Sequence, residues 1–286
     1  MAATRRTFST RHGAVIADDS GVDGFPVLMI HGSGSSRRVF DRQAQSPLAR
    51  KWRMIAVDLP GHGQSQNAVD PDRSYTVTGL ADCLGEVAGK LGLKRFGVFG
   101  WSLGGHVAME MLSGNGGVAG AMVSGAPPVP PGLIGMLRGF LPSFDLLLAS
   151  REDYSERDIE RFEWLCFGGM AAPGFRDTIR RADGRSRAVF ARSLQRGDGA
   201  DQRHAVEHAS VPVAFVNGAN DPFVRLSYFN GLVVPLLFED QPHVIADTGH
   251  APFWQDPAGF NPILDRFLAS VVANEKIRER DARRIA

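Results

Sequence analysis

Ser102, Asp221 and His250 stand far apart in this chain, yet their residue types and order can perform acyl transfer together. Ser102 is the centre of Gly100-Trp101-Ser102-Leu103-Gly104, which fits the pattern G-x-S-x-G. A serine hydroxyl is a weak nucleophile until a base takes its proton, and a neutral imidazole with a pKa near ~6.5 does so at ordinary pH. His250 is the base expected here. A carboxylate must then hold the imidazole tautomer and stabilise the imidazolium that forms, and the chain order serine, acid, histidine gives that place to Asp221. Asp247 is the rival acid, since it lies on the same strand end as His250. Attack on a carbonyl also develops an oxyanion, which two aimed N–H groups can hold. The Leu103 N–H, free at the start of a helix, is one candidate, and the Ser33 N–H in the loop His31-Gly32-Ser33-Gly34-Ser35-Ser36 is the other.

These groups need a scaffold that brings strand ends together. Phe96, Val98 and Phe99 form a strand before Ser102, and Val107, Ala108 and Met111 recur at helical spacing after it. Glycines at 100, 104 and 105 leave room where the two backbones nearly touch. Residues 7–17 read as an edge hairpin turning at His12-Gly13. The apolar runs Pro26–Ile30, Met54–Val57, Ala119–Ser124 and Val213–Val216 read as strands covered on both faces. Thr76–Leu91 is an amphipathic helix with Cys83 on its apolar stripe. Asp58 and His62 are expected to brace the loop Asp58–Ser65 through hydrogen bonds to backbone. Strands alternating with helices predict a mostly parallel sheet with helices on both faces, whose carboxyl strand ends carry the site. After the sixth strand the texture changes. Residues 128–210 read as a helical cap, with an acidic helix start at Ser155 and arginine-rich outer faces, set into a core of residues 1–127 and 211–286. A closing helix runs through Phe260, Ile263, Leu264 and Phe267, with a charged tail from Asn274 expected to fray.

Composition narrows the function. The 286 residues are 43% hydrophobic and 22% charged with a net charge of +1, which suits a soluble globular protein. That balance offers no basic footprint for nucleic acid or an anionic membrane, so neither is an expected partner. No apolar run follows Arg5 and Arg6, and no stretch reaches the ~20 apolar residues of a membrane span, so a cytoplasmic location is expected. The two cysteines, Cys83 and Cys166, are expected as buried thiols. Metal chemistry finds little support, because there is no H-E-x-x-H pattern. His204 and His208, at i, i+4 spacing, lack a nearby third ligand and read as a solvated helix face. No cofactor or metal is therefore expected.

The residues just described resemble the α/β-hydrolase superfamily over nearly the whole chain. A serine at the elbow separates it from the dehalogenases and epoxide hydrolases, which carry aspartate. More narrowly the chain is similar to the metal-independent N-acyl homoserine lactonases of that fold. The likeness rests on KWRMIAVDLPGHGQS at 51–65, DPDRSY at 70–75, VFGWSLGGH at 98–106, APPV at 126–129, SERD at 155–158, DGRSR at 183–187, VNG and DPFV within 216–224, and GHAPF at 249–253. The resemblance implies quorum quenching by hydrolysis of the lactone ring, with the acyl chain lying beneath the cap against residues such as Phe162 and Val224, beside Gly32. This chain departs from the family at three places: Ser33 replaces an asparagine, Asp221 a glutamate, and Phe162 a tyrosine near the lactone. The first two keep the backbone donor and the carboxylate, while the third removes a hydroxyl that can position the ring. A general carboxylesterase, an amidase acting on the acyl amide, and a barely catalytic ligand-sensing hydrolase fold are the alternatives. Oligomeric state leaves no mark in the sequence.

Overall fold

The structure of the protein is a computed structural model that describes residues 3–114, 117–171 and 174–285. Its strands are β1 (Thr4–Thr10), β2 (Gly13–Asp19), β3 (Pro26–Ile30), β4 (Arg53–Val57), β5 (Phe96–Trp101), β6 (Val118–Ser124), β7 (Val213–Gly218) and β8 (His243–Ile245). They form one eight-stranded sheet in the order β1-β2-β4-β3-β5-β6-β7-β8. The β1-β2 hairpin joins β4 antiparallel, and every later pairing is parallel. Central strands β5, β6 and β7 are buried at every residue, as expected where helices cover both faces.

One face lies under helices α1 (Val77–Lys90) and α2 (Leu103–Gly114). Leu80, Leu84 and Val87 of α1 and Val107 and Met111 of α2 share a core with Leu28, Ile55 and Val98 of the strands. The other face holds an aromatic cluster in which Phe99 packs edge-on to Phe40 and Phe253, with Phe260 and Phe267 beneath. Cys83 and Cys166 are both free and buried. Burial pushes the Cys83 thiol up to about 12 and raises that of Cys166. Among the described residues no helix is long and apolar enough to cross a membrane.

Between β6 and β7 the chain forms α3 (Leu133–Gly139), a 3-10 segment (Phe144–Ser150), α4 (Glu156–Phe167), α5 (Phe175–Arg181), α6 (Gly184–Arg196) and α7 (Gln202–Glu207). A capping box starts α4: Ser155 Oγ accepts from the Asp158 N–H at 3.3 Å, and Asp158 Oδ2 accepts from the Ser155 N–H at 2.9 Å. The outer arginines are solvated and paired, Arg176 with Glu160 and Glu163, Arg180 with Glu156 and Asp177. Arg187 departs from that expectation. It is buried, donates to the carbonyls of Arg151 and Glu152, and lays its guanidinium 3.9 Å from the Tyr154 ring centroid. Two motifs outside the catalytic turns meet here, because the buried Tyr75 hydroxyl donates to Asp183 at 2.7 Å and so ties α6 to the core. The closing helix, α8 (Pro257–Ile285), does not fray at Asn274 as its charge pattern suggested. It runs on to Ile285, and Glu275 accepts from Arg95 Nη2 at 2.6 Å.

Candidate active site

Ser102 sits between β5 and α2 with φ at +55°, one of four described non-glycine residues in the left-handed region. The turn is held from both sides: the Ser102 N–H donates to the Ser124 carbonyl at 2.8 Å, and the Ser102 carbonyl accepts from Gly105 at 2.8 Å. Side chains are excluded where strand and helix cross. A Cβ on Gly104 would lie 2.2 Å from the Ile30 carbonyl oxygen, and one on Gly100 equally close to that of Gly104.

His250 and Asp221 arrive from the ends of β8 and β7. The His250 Nδ1–H donates to Asp221 Oδ2 at 2.8 Å, with the imidazole 3% exposed. An ionised carboxylate only accepts, so the proton belongs on Nδ1 and Nε2 is left as a base. Asp221 Oδ1 accepts from the Phe223 N–H at 2.8 Å and the Val224 N–H at 3.1 Å, which fixes the carboxylate. The His250 carbonyl accepts from Trp101 Nε1 at 2.8 Å, and the Phe223 ring stands edge-on to the imidazole at 4.8 Å. Asp247, the rival acid, is exposed in a left-handed turn and has no bond to His250.

Ser102 and His250 line one cavity of about 430 Å³ between the strand ends and the helices inserted between β6 and β7, together with Ser33, Leu103, His106 and Phe162. Its walls are mostly apolar, including Met136, Leu146, Phe190 and Phe223. At the mouth, Leu133, Leu137 and Leu147 stay 57–61% exposed. The Ser33 and Leu103 N–H groups have no hydrogen-bond partner among the described residues, so both remain available as donors. Gly32 does not line the cavity; a Cβ there would meet the Trp101 ring at 2.9 Å and Ser102 Cβ at 3.1 Å. Val224, expected against the acyl chain, also stands outside it. Its side chain is 1% exposed, and it pairs with Phe140 as an isolated antiparallel bridge, so alternation along the strand turns Phe223 to the cavity. Beside that bridge the Leu141 N–H donates to the Phe223 carbonyl at 2.7 Å.

Asp58 and His62 brace the neighbouring loops, as expected. Asp58 accepts from the N–H groups of Arg37 at 2.7 Å and Gln64 at 2.8 Å, and the Arg37 guanidinium also rests on it. His31 Nε2 accepts from the Leu59 N–H at 3.0 Å while Nδ1 bonds the Gly32 carbonyl, which secures the Ser33 loop. Burial pushes His31 down to about 4 and His62 to about 3, so both are neutral. Among the described residues one group could converge on a metal, His12, Asp82 and Glu86, but Arg11 bridges both carboxylates and none of the three lines the cavity. His204 and His208 are exposed and stack at 3.9 Å.

The alpha/beta hydrolase family model matches residues 27–263. The chain belongs to that family. Within it, this α/β hydrolase is 40% identical to the N-acyl homoserine lactonase AidH. In complex with N-butanoyl homoserine, that structure superposes with a TM-score of 0.91, covering 94% of this chain and 97% of the other. A mutant of the same lactonase, complexed with N-hexanoyl homoserine lactone, also gives a TM-score of 0.91 at 40% identity, covering 94% and 98%. A 2-hydroxy-6-oxononadienedioate/2-hydroxy-6-oxononatrienedioate hydrolase from Pseudomonas sp is 27% identical over 90% of this chain and 93% of its own.

Sequence reading of this α/β hydrolase left three residues without a role. Phe223 lies one position from Val224, and only the strand's alternation separates them. Trp101 fills a variable position of the elbow motif. His106 was visible as the residue four places after Ser102 on the same helix.

Proposed function

We propose that this enzyme is a serine hydrolase that opens the ring of N-acyl homoserine lactones, a quorum-quenching activity. What carries the reading is the 40% identity to AidH over nearly the whole of both chains, in a fold that also places Ser102 and an Asp221-oriented His250 on one apolar cavity. His250 Nε2 takes the Ser102 proton as Oγ attacks the ring carbonyl, and the Ser33 and Leu103 N–H groups hold the oxyanion. Collapse of the intermediate breaks the ring C–O bond, and His250 returns the proton to the leaving oxygen. The product is an acyl-enzyme whose alcohol stays tethered. Water, deprotonated by His250, then attacks the ester and releases N-acyl homoserine and the free serine. The acyl chain lies among Met136, Leu146, Phe190 and Phe223. No step requires a metal.

The test is to incubate the enzyme with N-hexanoyl homoserine lactone and follow mass and ring state. A gain of one water that disappears in Ser102→Ala is expected; release of free homoserine lactone points to the amidase, and no turnover refutes the proposal. A general carboxylesterase would use the same three groups. It predicts kcat/KM for p-nitrophenyl hexanoate well above that for the lactone.

A further inference from the structure

His106 is a polar group in an apolar wall, and the mechanism above makes no use of it. It stands one turn beyond Ser102 on α2, where its N–H bonds the Ser102 carbonyl at 3.2 Å. Helical side chains lean towards the N-terminus, which here is the serine turn. The residue is 4% exposed, and what remains of its surface faces the cavity that holds Ser102 and His250. Phe140 and Phe190 flank the ring, with centroids at 5.9 and 6.1 Å.

One ring nitrogen is occupied. Nδ1 donates to Gln202 Oε1 at 2.8 Å, from α7. That bond puts the proton on Nδ1 and leaves Nε2 as an acceptor. Burial, reinforced by nearby His250, keeps the imidazole neutral by pushing it down to about 4. Nε2 has no hydrogen-bond partner among the described residues. In a water-filled cavity solvent satisfies it, but an acyl chain that expels the water strands an unpaired acceptor unless the ligand carries a donor. An N-acyl homoserine lactone carries one N–H, two bonds from the ring carbonyl that Ser102 attacks. A simple ester carries none.

Resting on the lactonase reading above, we infer that His106 Nε2 accepts the amide N–H of the substrate, making His106 the residue that selects an acylamino lactone over an ester or an alkyl lactone. Gln202 is its positioning partner, since it fixes which nitrogen accepts.

The experiment compares ring opening of N-hexanoyl homoserine lactone with that of its isostere, in which an ester oxygen replaces the N–H, for the full-length enzyme and two variants. The ratio of kcat/KM values for the two lactones is read by mass spectrometry of the ring-opened products. Intrinsic reactivity cancels when the ratio is compared between enzymes. In wild type the ratio favours the amide, and His106→Phe, which keeps a ring but no acceptor, lowers it by about tenfold. His106→Gln, with a carbonyl oxygen in reach, recovers most of the preference. A ratio that moves less than twofold in His106→Phe, or, should that variant not fold, one that falls tenfold in His106→Gln despite its carbonyl oxygen, overturns the inference while leaving lactone opening intact. A wild-type enzyme that opens neither lactone, or only the ester isostere, overturns this inference together with the lactonase reading.

Discussion

Asp221→Asn is the most demanding perturbation of the proposed mechanism, because it changes one proton and almost no volume. In the native protein Asp221 Oδ1 accepts two backbone N–H groups and Oδ2 accepts the His250 Nδ1–H at 2.8 Å. Asparagine keeps a single acceptor. The two backbone donors, Phe223 and Val224, point at Oδ1 and claim it, so the amide NH₂ turns towards His250. Facing a donor, His250 must present a bare Nδ1, and its proton moves to Nε2, where Ser102 needs a base. The imidazolium also loses its counter-charge in a site where the carboxylate side chain has no solvent exposure. The same exchange in Ser-His-Asp enzymes costs about 10⁴ in kcat, or ~5.5 kcal/mol of transition-state stabilisation. Steady-state hydrolysis of N-hexanoyl homoserine lactone measures it, with KM expected within threefold and the circular dichroism spectrum unchanged. Asp247→Asn is the control: the residue is exposed, asparagine tolerates its left-handed φ of +57°, and activity should stay within twofold. A loss under tenfold in Asp221→Asn, or a larger loss in Asp247→Asn, refutes the assignment of the acid.

Three further outcomes test other parts of the structure. Ser102→Gly removes the nucleophile and also relieves a left-handed serine; it should abolish turnover while raising stability by about 1 kcal/mol, a Tm gain of ~2 °C by calorimetry, and a lower Tm contradicts the strained elbow. The buried neutral histidines His31, His62 and His106, pushed down to about 4, 3 and 4, bind protons only on unfolding. Their unfolded pKa is near ~6.5, so their contribution is complete above that pH. It is lost as pH falls towards 4, by up to ~1.4 kcal/mol per unit for each histidine, and a urea midpoint flat between pH 7 and 4.5 would sink this account. Leu137→Ser at the cavity mouth should lower kcat/KM for a dodecanoyl lactone about fivefold and for a butanoyl lactone less than twofold, since only the longer chain reaches that rim.

What was legible in the sequence was what is local. The elbow shows because Gly100 is dictated by backbone atoms of the same strand-turn-helix, and Gly104 by the end of its sheet neighbour β3. Asp221 and His250 show because each ends a strand in a chain order with few solutions, although nothing in the order says that Oδ2 and Nδ1 lie 2.8 Å apart. The cavity wall was less legible. Choosing Val224 over Phe223 needs the phase of a two-residue bridge to Phe140, more than eighty positions upstream in sequence. His106 takes its tautomer from Gln202 and Asp183 its partner from Tyr75, both contacts between residues about a hundred positions apart. The tail after Asn274 misled for a related reason: its charges find solvent and Arg95 without leaving the helix.

The short bridge between Phe140 and Val224, with its neighbouring bond from Leu141 to Phe223, bears on how such an enzyme can be re-engineered. Because the helical segment α3–α7 leaves and rejoins the sheet at adjacent strands, β6 and β7, it invites exchange for another. Yet the stretch that closes α3 is stitched to the two residues whose N–H groups hold Asp221. A transplanted helical segment that kept every apolar contact but shifted this stitch by one residue would swing Asp221 away from His250. Chimeras designed to acquire a new substrate preference therefore need their junction after Leu141, so that the pocket can change while the bond between Asp221 and His250 stays put.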